Sequence, residues 1–208
     1  MLDVEPTWIG VVDRDERTNG QVITEMTQHS NLWVLPRFCL ESYLIAPNEL
    51  WRALPSHQQA QIAGGEQALR NVIISGIDNW LRHGALWYTV NPMWSGLRAL
   101  GYNEYLLDVQ NAQDDQFIMD TLRQWHEFLN PTEIFDKFQQ LLYSIRSLPE
   151  EDQLCRYVHG KLFFKDHVVK QLNNLIEQHG EGYWKNELFK TLPVSTDLEP
   201  LWQKMGLI

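Results

Sequence analysis

The sequence predicts an α/β fold that is mainly helical, with a small parallel sheet near its beginning. Two short apolar runs, residues 8–13 and 32–35, have the composition of strands, and Pro36 closes the second. Between them lie an Asn19–Gly20 turn signal and a segment, residues 21–28, that can form a short helix. A strand, a helix and another strand at this spacing are typical of a parallel βαβ unit.

Most of the remaining chain has helical periodicity. Apolar residues recur at spacings of three and four in three groups across residues 56–148: Leu69, Ile73, Ile77 and Trp80; Ile118, Leu122, Trp125 and Leu129; Ile134, Phe138, Leu141 and Ile145. Asn130 and Pro131 are suited to begin the last of these helices. The pattern predicts a large all-helical insertion.

Shorter elements complete the predicted organisation. We expect helices at residues 38–45, 47–54, 162–178, 183–192 and 198–205, and a third strand at residues 154–158, where apolar and polar residues weakly alternate. The chain then divides into an α/β core at residues 1–55, the helical insertion at residues 56–148, and a return to the core with terminal helices at residues 149–208.

The composition excludes several classes of function. The formal net charge of −10 argues against a broad surface for nucleic-acid phosphates, although a local site where metal ions supply the positive charge remains possible. No apolar run is long enough to span a membrane, and the first residues carry no signal-peptide pattern. Two cysteines, Cys39 and Cys155, are too few for a cysteine zinc site. We therefore expect a cytoplasmic protein with reduced thiols.

The most informative candidate residues are Asp13 and Asp15, at the end of the first apolar run. Side chains two apart on a strand share a face, so the two carboxylates should lie side by side where the strand ends. Adjacent carboxylates repel unless a cation lies between them, and hard oxygen ligands suit Mg²⁺ or Mn²⁺. The alternative is a polar strand end that leads into a solvated loop.

Two further residues have a functional and a structural interpretation. Glu41 lies among apolar residues and needs a partner, which could be Arg37, the start of its own helix, or the metal site. Lys161, in the run His159–Gly160–Lys161, could place a cation beside the carboxylates and stabilise charge on a phosphate. Its alternative is an exposed lysine at a helix start.

Three short motifs carry a family resemblance. They are the strand that ends in Asp13–Arg14–Asp15, the run Trp33–Val34–Leu35–Pro36–Arg37 followed by Leu40–Glu41–Ser42–Tyr43–Leu44, and the later run His159–Gly160–Lys161–Leu162–Phe163. Together they resemble the Toprim-type domain of OLD-family nucleases and related ATP-dependent endonuclease-like proteins. The resemblance covers about residues 7–50 and 150–170 and does not reach the helical middle.

The resemblance implies a partial Toprim-like sheet and a divalent-metal-dependent DNA nuclease. Asp13, Asp15 and Glu41 would then bind Mg²⁺ or Mn²⁺, and Lys161 would complete the catalytic group. The strand with a glutamate that normally opens the Toprim pattern, and the ATPase that precedes it, have no counterpart before Asp13. The chain therefore resembles the C-terminal part of such a protein, and we expect DNA and an ATPase chain as partners, with an oligomer possible. The alternative is a non-catalytic regulatory or assembly subunit, or a truncated remnant, that binds an ATPase.

Overall fold

A computed structural model describes residues 8–102 and 111–207 of the chain. They form two compact units: the first contains residues 8–81 and 148–207, and the second is Arg82–Ser147. The predicted insertion began at residue 56, whereas the second unit begins at residue 82, so the helices between these positions belong to the first unit. Within the described ranges, no helix is both long and apolar enough to cross a membrane.

The first unit opens with the predicted parallel βαβ arrangement. Strand β1 (Gly10–Val12) pairs in parallel with β2 (Leu32–Val34), with Val11 opposite Trp33. Helix α1 (Asn19–Gln28) connects them, and Thr18 and Gln21 form a capping box at its start. The prediction of a buried first strand was wrong: β1 has only three residues, and Val11 is 48% exposed.

The predicted third strand at residues 154–158 was also wrong. Gln153–Tyr157 form a π-helical turn that follows the short helix at Glu150–Asp152, and the described residues contain no strands beyond β1 and β2. Leu154, Cys155 and Val158 are all buried. These positions are one and four residues apart, which is helical spacing, so the weak alternation in the sequence was misleading.

The other elements are helical. The segment after β2 forms a 3₁₀ turn at Leu40–Leu44, where we expected a longer helix. The α-helices that follow α1 are α2 (Pro47–Ala53), α3 (Ser56–Gln59), α4 (Gly65–Ile74), α5 (Ile77–Val90), α6 (Met93–Ala99), α7 (Asp115–Phe128), α8 (Pro131–Arg146), α9 (Glu150–Asp152), α10 (Gly160–Phe163), α11 (Val169–Leu175), α12 (Glu181–Thr191) and α13 (Glu199–Lys204). A π-helical turn at Phe164–Val168 joins α10 to α11. The mainly helical α/β fold is thus confirmed.

The core of the first unit lies between the 3₁₀ turn, α2, α4 and the later helices. Its largest fully buried side chains are Trp184, Tyr43, Phe38, Phe163, Phe164, Leu44, Ile45, Leu50, Leu69 and Ile73. Both cysteines are buried and carry free thiols. In the second unit, α8 buries Phe138, Leu142 and Ile145.

A polar cluster around a buried arginine lies in the first unit. Its centre is the Arg37 side chain, which is 6% exposed, binds both carboxylate oxygens of Glu49, and donates from Nε to Asp197 Oδ2 at 2.9 Å. The guanidinium also donates to the Ser42 carbonyl and lies 4.1 Å from the centre of the Tyr43 ring. Burial alone would lower the pKa of Arg37, but its hydrogen bonds to the two carboxylates raise it above the usual range. We call this set the Arg37 cluster.

Candidate functional site

The candidate site lies where β1 ends, beside the 3₁₀ turn and the start of α10. Asp13 directly follows the last residue of β1, and its Oδ1 accepts a hydrogen bond from the backbone N–H of Leu40 at 3.1 Å. Its Oδ2 lies 2.6 Å from Lys161 Nζ, although the two residues are 148 positions apart. Two of the predicted site residues are therefore in direct contact.

Gly160 explains how α10 comes so close to the 3₁₀ turn. A Cβ atom at this position would lie 2.7 Å from both Cys39 Sγ and Ser42 Oγ, and 3.0 Å from the Ser42 backbone nitrogen. Only a residue without a side chain leaves this space open. The glycine of the Gly–Lys run thus allows the contact that places Lys161 over Asp13.

Asp15 lies near Asp13, but not for the reason that the sequence suggested. Its φ is +50°, so the residue lies in a turn beyond β1, and the strand alternation from which we expected the two carboxylates to be neighbours was wrong. The Asp15 backbone N–H donates to the Phe38 carbonyl at 2.8 Å, which fixes the turn against the chain after β2. We call residues 13–16 the acidic turn.

The carboxylates of the acidic turn act on one another. The pKa of Asp15 is raised, first by partial burial and then by the negative charges of Asp13 and Glu16, while Arg17 and Lys161 act against this rise. The two aspartates therefore interact electrostatically. An additional cation between them would lower this repulsion.

Arg17 is a fixed cation at the other side of the acidic turn. Its Nε binds both oxygens of Glu25 at 3.1 and 3.0 Å, and its Nη1 donates to the carbonyls of Asp13 and Arg14 at 3.1 Å each. The same Nη1 lies 3.5 Å from Asp15 Oδ2. These four hydrogen bonds hold the Arg17 guanidinium in place beside the acidic turn.

Glu41 is buried in the first turn of the 3₁₀ segment, and its partner is a residue that the sequence did not identify. Its Oε1 accepts a hydrogen bond from Lys185 Nζ at 2.8 Å, whereas Arg37, the partner considered from the sequence, binds Glu49 and Asp197. Burial alone would raise the pKa of Glu41, but the bond from Lys185 leaves it below its ordinary value. Glu41 therefore carries its charge inside the protein.

Lys161 and Lys185 each bind one of the predicted site carboxylates, Asp13 and Glu41 respectively. The pKa of Lys161 is raised mainly by its hydrogen bond to Asp13, and the charge of Glu41 adds to this effect. Lys185, on α12, also lies 3.6 Å from Glu181 on the same helix. The spacing from Glu181 to Lys185 is visible in the sequence as a local helix pair, but nothing there indicates that Lys185 reaches Glu41.

The donor set fits a divalent cation in part. Among the described residues, no three His, Cys, Asp or Glu side chains are placed to hold a metal ion, so Glu41 does not complete a group with Asp13 and Asp15. Asp13 and Asp15 supply hard carboxylate oxygens. Mg²⁺ is often held by one or two carboxylates, with water and substrate phosphate as its other ligands. Two aspartates are therefore enough for an ion of this type that arrives with its substrate.

Comparison with known proteins adds no further assignment. No protein-family model, curated protein or solved structure matches this chain.

Proposed function

We propose that the chain is a Toprim-type, divalent-metal-dependent DNA nuclease module with a partial Toprim-like sheet. The supporting observation is the 2.6 Å contact between Asp13 and Lys161. It joins two of the motifs on which the family resemblance depends, and Leu40, beside Glu41 of the third motif, donates to the same carboxylate. Motifs that are far apart in the sequence thus share one surface site.

In this proposal each group has a distinct task. Asp13 and Asp15 hold Mg²⁺ or Mn²⁺, which, when bound, activates water and stabilises the leaving oxygen in phosphodiester hydrolysis. The Lys161 ammonium, half exposed beside them, stabilises negative charge on the phosphate. The ion pair of Glu41 and Lys185 contributes to the electrostatic field at Lys161. Because the protein is acidic overall, a bound metal ion would supply most of the electrostatic attraction for DNA. The proposal also includes a cytoplasmic location.

A plasmid-nicking assay tests the proposal. Purified protein is incubated with supercoiled plasmid and Mg²⁺ or Mn²⁺, alongside Asp13→Asn, which keeps an oxygen for the Leu40 N–H but loses the charge. We expect metal-dependent nicking that falls about 100-fold in this variant. Asp166→Asn, an exposed aspartate in the same unit, is the matched control and should nick normally. Equal rates for Asp13→Asn and the wild type would contradict the proposal.

The uncovered sheet favours a second candidate, a non-catalytic subunit that binds an ATPase partner. A two-stranded sheet is marginal alone, and in the described residues β1 has β2 as its only neighbour. Trp8 and Val11, at this strand, are 63% and 48% exposed. If the second candidate is correct, the chain binds an ATPase encoded beside it, and Asp13→Asn leaves both complex formation and any nicking by the complex unchanged.

A further inference from the structure

Both aspartates of the acidic turn already face a cation that belongs to the protein. Lys161 Nζ lies 2.6 Å from Asp13 Oδ2, and Arg17 Nη1 lies 3.5 Å from Asp15 Oδ2. A divalent ion that binds both carboxylates enters a space next to these two positive charges. Like charges repel strongly at such distances, so at least one protein cation has to move.

The two cations are held very differently. Arg17 makes two bonds to Glu25 and two to backbone carbonyls, and its contact with Asp15 is the longer one. The Lys161 ammonium has a single partner among the described residues, Asp13, and its side chain is 51% exposed. A flexible lysine with one bond moves more easily than a guanidinium with four. Lys161 is therefore the cation that moves when a divalent ion binds.

We propose that the Lys161 ammonium occupies the place of the divalent cation at Asp13 and competes with it. Asp13 Oδ1 accepts the Leu40 N–H and Oδ2 accepts the Lys161 ammonium, so a metal that binds Oδ2 takes the place of the ammonium. Metal binding releases Lys161, and the freed ammonium is then available to a substrate phosphate. This inference rests on the proposed metal site.

Direct measurement of Mn²⁺ affinity tests the competition without any nuclease assay. Isothermal titration calorimetry gives the Mn²⁺ dissociation constant for the wild type, Lys161→Met, Lys161→Arg and Asp13→Asn. We expect Lys161→Met to bind about two- to fivefold more tightly, because the ion no longer displaces an ion pair of the partly exposed kind. Lys161→Arg keeps the competing charge and should match the wild type, and Asp13→Asn should bind more weakly.

Lys165→Met is the matched control, because Lys165 is exposed and lies one helical turn beyond Lys161. It removes the same charge without touching Asp13, so its Mn²⁺ affinity should equal that of the wild type. Unchanged or weaker binding by Lys161→Met, or an equal gain in Lys165→Met, overturns the competition.

The nicking assay separates this inference from the proposed function. Nicking by the wild type together with unchanged affinity in Lys161→Met rejects the competition and leaves the nuclease standing. Tighter Mn²⁺ binding without nicking supports the competition and rejects the nuclease. Absence of both Mn²⁺ binding and nicking rejects both.

Discussion

The Arg37 cluster and the acidic turn place similar charges in opposite settings. Each has a basic side chain in contact with a carboxylate from a distant part of the chain. Arg37 is 6% exposed, while Lys161 is 51% exposed. All five N–H groups of the Arg37 guanidinium donate hydrogen bonds and one of its faces lies over the Tyr43 ring, whereas the Lys161 ammonium has one bond among the described residues. The first arrangement suits a structural role, and the second leaves room for a ligand.

The difference shows that composition does not identify a site in this protein. A buried, fully bonded cation cannot exchange partners without leaving charges uncompensated, which is costly. A half-exposed lysine can exchange its carboxylate for another anion at little cost, since exposed ion pairs contribute about 0–1 kcal/mol. The number of bonds that each cation makes therefore separates the two regions better than their residue types.

The largest effect is expected at the Arg37 cluster. Arg37→Met should lower the free energy of unfolding by about 3–5 kcal/mol, because Glu49 and Asp197 are left without their partner. Urea denaturation measures this loss. Arg52→Met, at an exposed position on α2, is the control and should change the value by less than about 0.5 kcal/mol. A loss below about 1 kcal/mol in Arg37→Met would contradict the structural role.

The next effect concerns Gly160, which connects the core to the acidic turn. Gly160→Ala places a methyl group 2.7 Å from Cys39 Sγ and Ser42 Oγ, so we expect a loss of about 1–3 kcal/mol in thermal or urea unfolding. Gly182→Ala, in α12, meets no atom within 4 Å and should be neutral or stabilising by up to about 1 kcal/mol. If both variants behaved alike, α10 would not pack against the 3₁₀ turn as described.

The smallest effect is the pH dependence contributed by Glu41. Its pKa is lower in the folded protein than in the unfolded chain, so its ion pair with Lys185 stabilises the fold above the unfolded value and is lost as pH falls through the folded value. Glu41→Gln should cost no more than about 1 kcal/mol at neutral pH and should make the loss of stability on acidification shallower. Urea titrations at several acidic pH values measure this slope.

Glu187→Gln is the control for Glu41, since Glu187 also binds a lysine, Lys190, three residues along α12. It should change the free energy of unfolding by less than about 0.5 kcal/mol. If the free energy of unfolding fell equally steeply with decreasing pH in Glu41→Gln and in the wild type, the Glu41–Lys185 pair would not contribute to the pH dependence of stability.

The sequence predicted the features that depend on neighbouring residues. The βαβ unit and the helical middle followed from local periodicity, because burial of one face imposes a repeat on the sequence. Asp13 and Lys161 were both candidate residues in the sequence, but their contact spans 148 positions and no local pattern indicates it. Whether they carry out catalysis stays a prediction.

Other features depend on long-range contacts that the neighbouring sequence does not indicate. Residues 153–157 alternate weakly between apolar and polar, as a strand does, but they form a π-helical turn that buries Leu154, Cys155 and, just after it, Val158. Lys185 and Asp197 come from the last quarter of the chain, and nothing near them in the sequence indicates that they pair with Glu41 and Arg37. Asp15 has a positive φ and its backbone N–H bonds to the Phe38 carbonyl, 23 positions away, which the sequence around Asp15 does not indicate.

The long separation between Asp13 and Lys161 has a consequence for the order in which the site is made. During synthesis Asp13 emerges from the ribosome first, and Lys161 follows 148 positions later. The nascent βαβ segment therefore presents its aspartates without their ammonium partner. A fragment that ends before Gly160 keeps both aspartates in its sequence and lacks this ammonium.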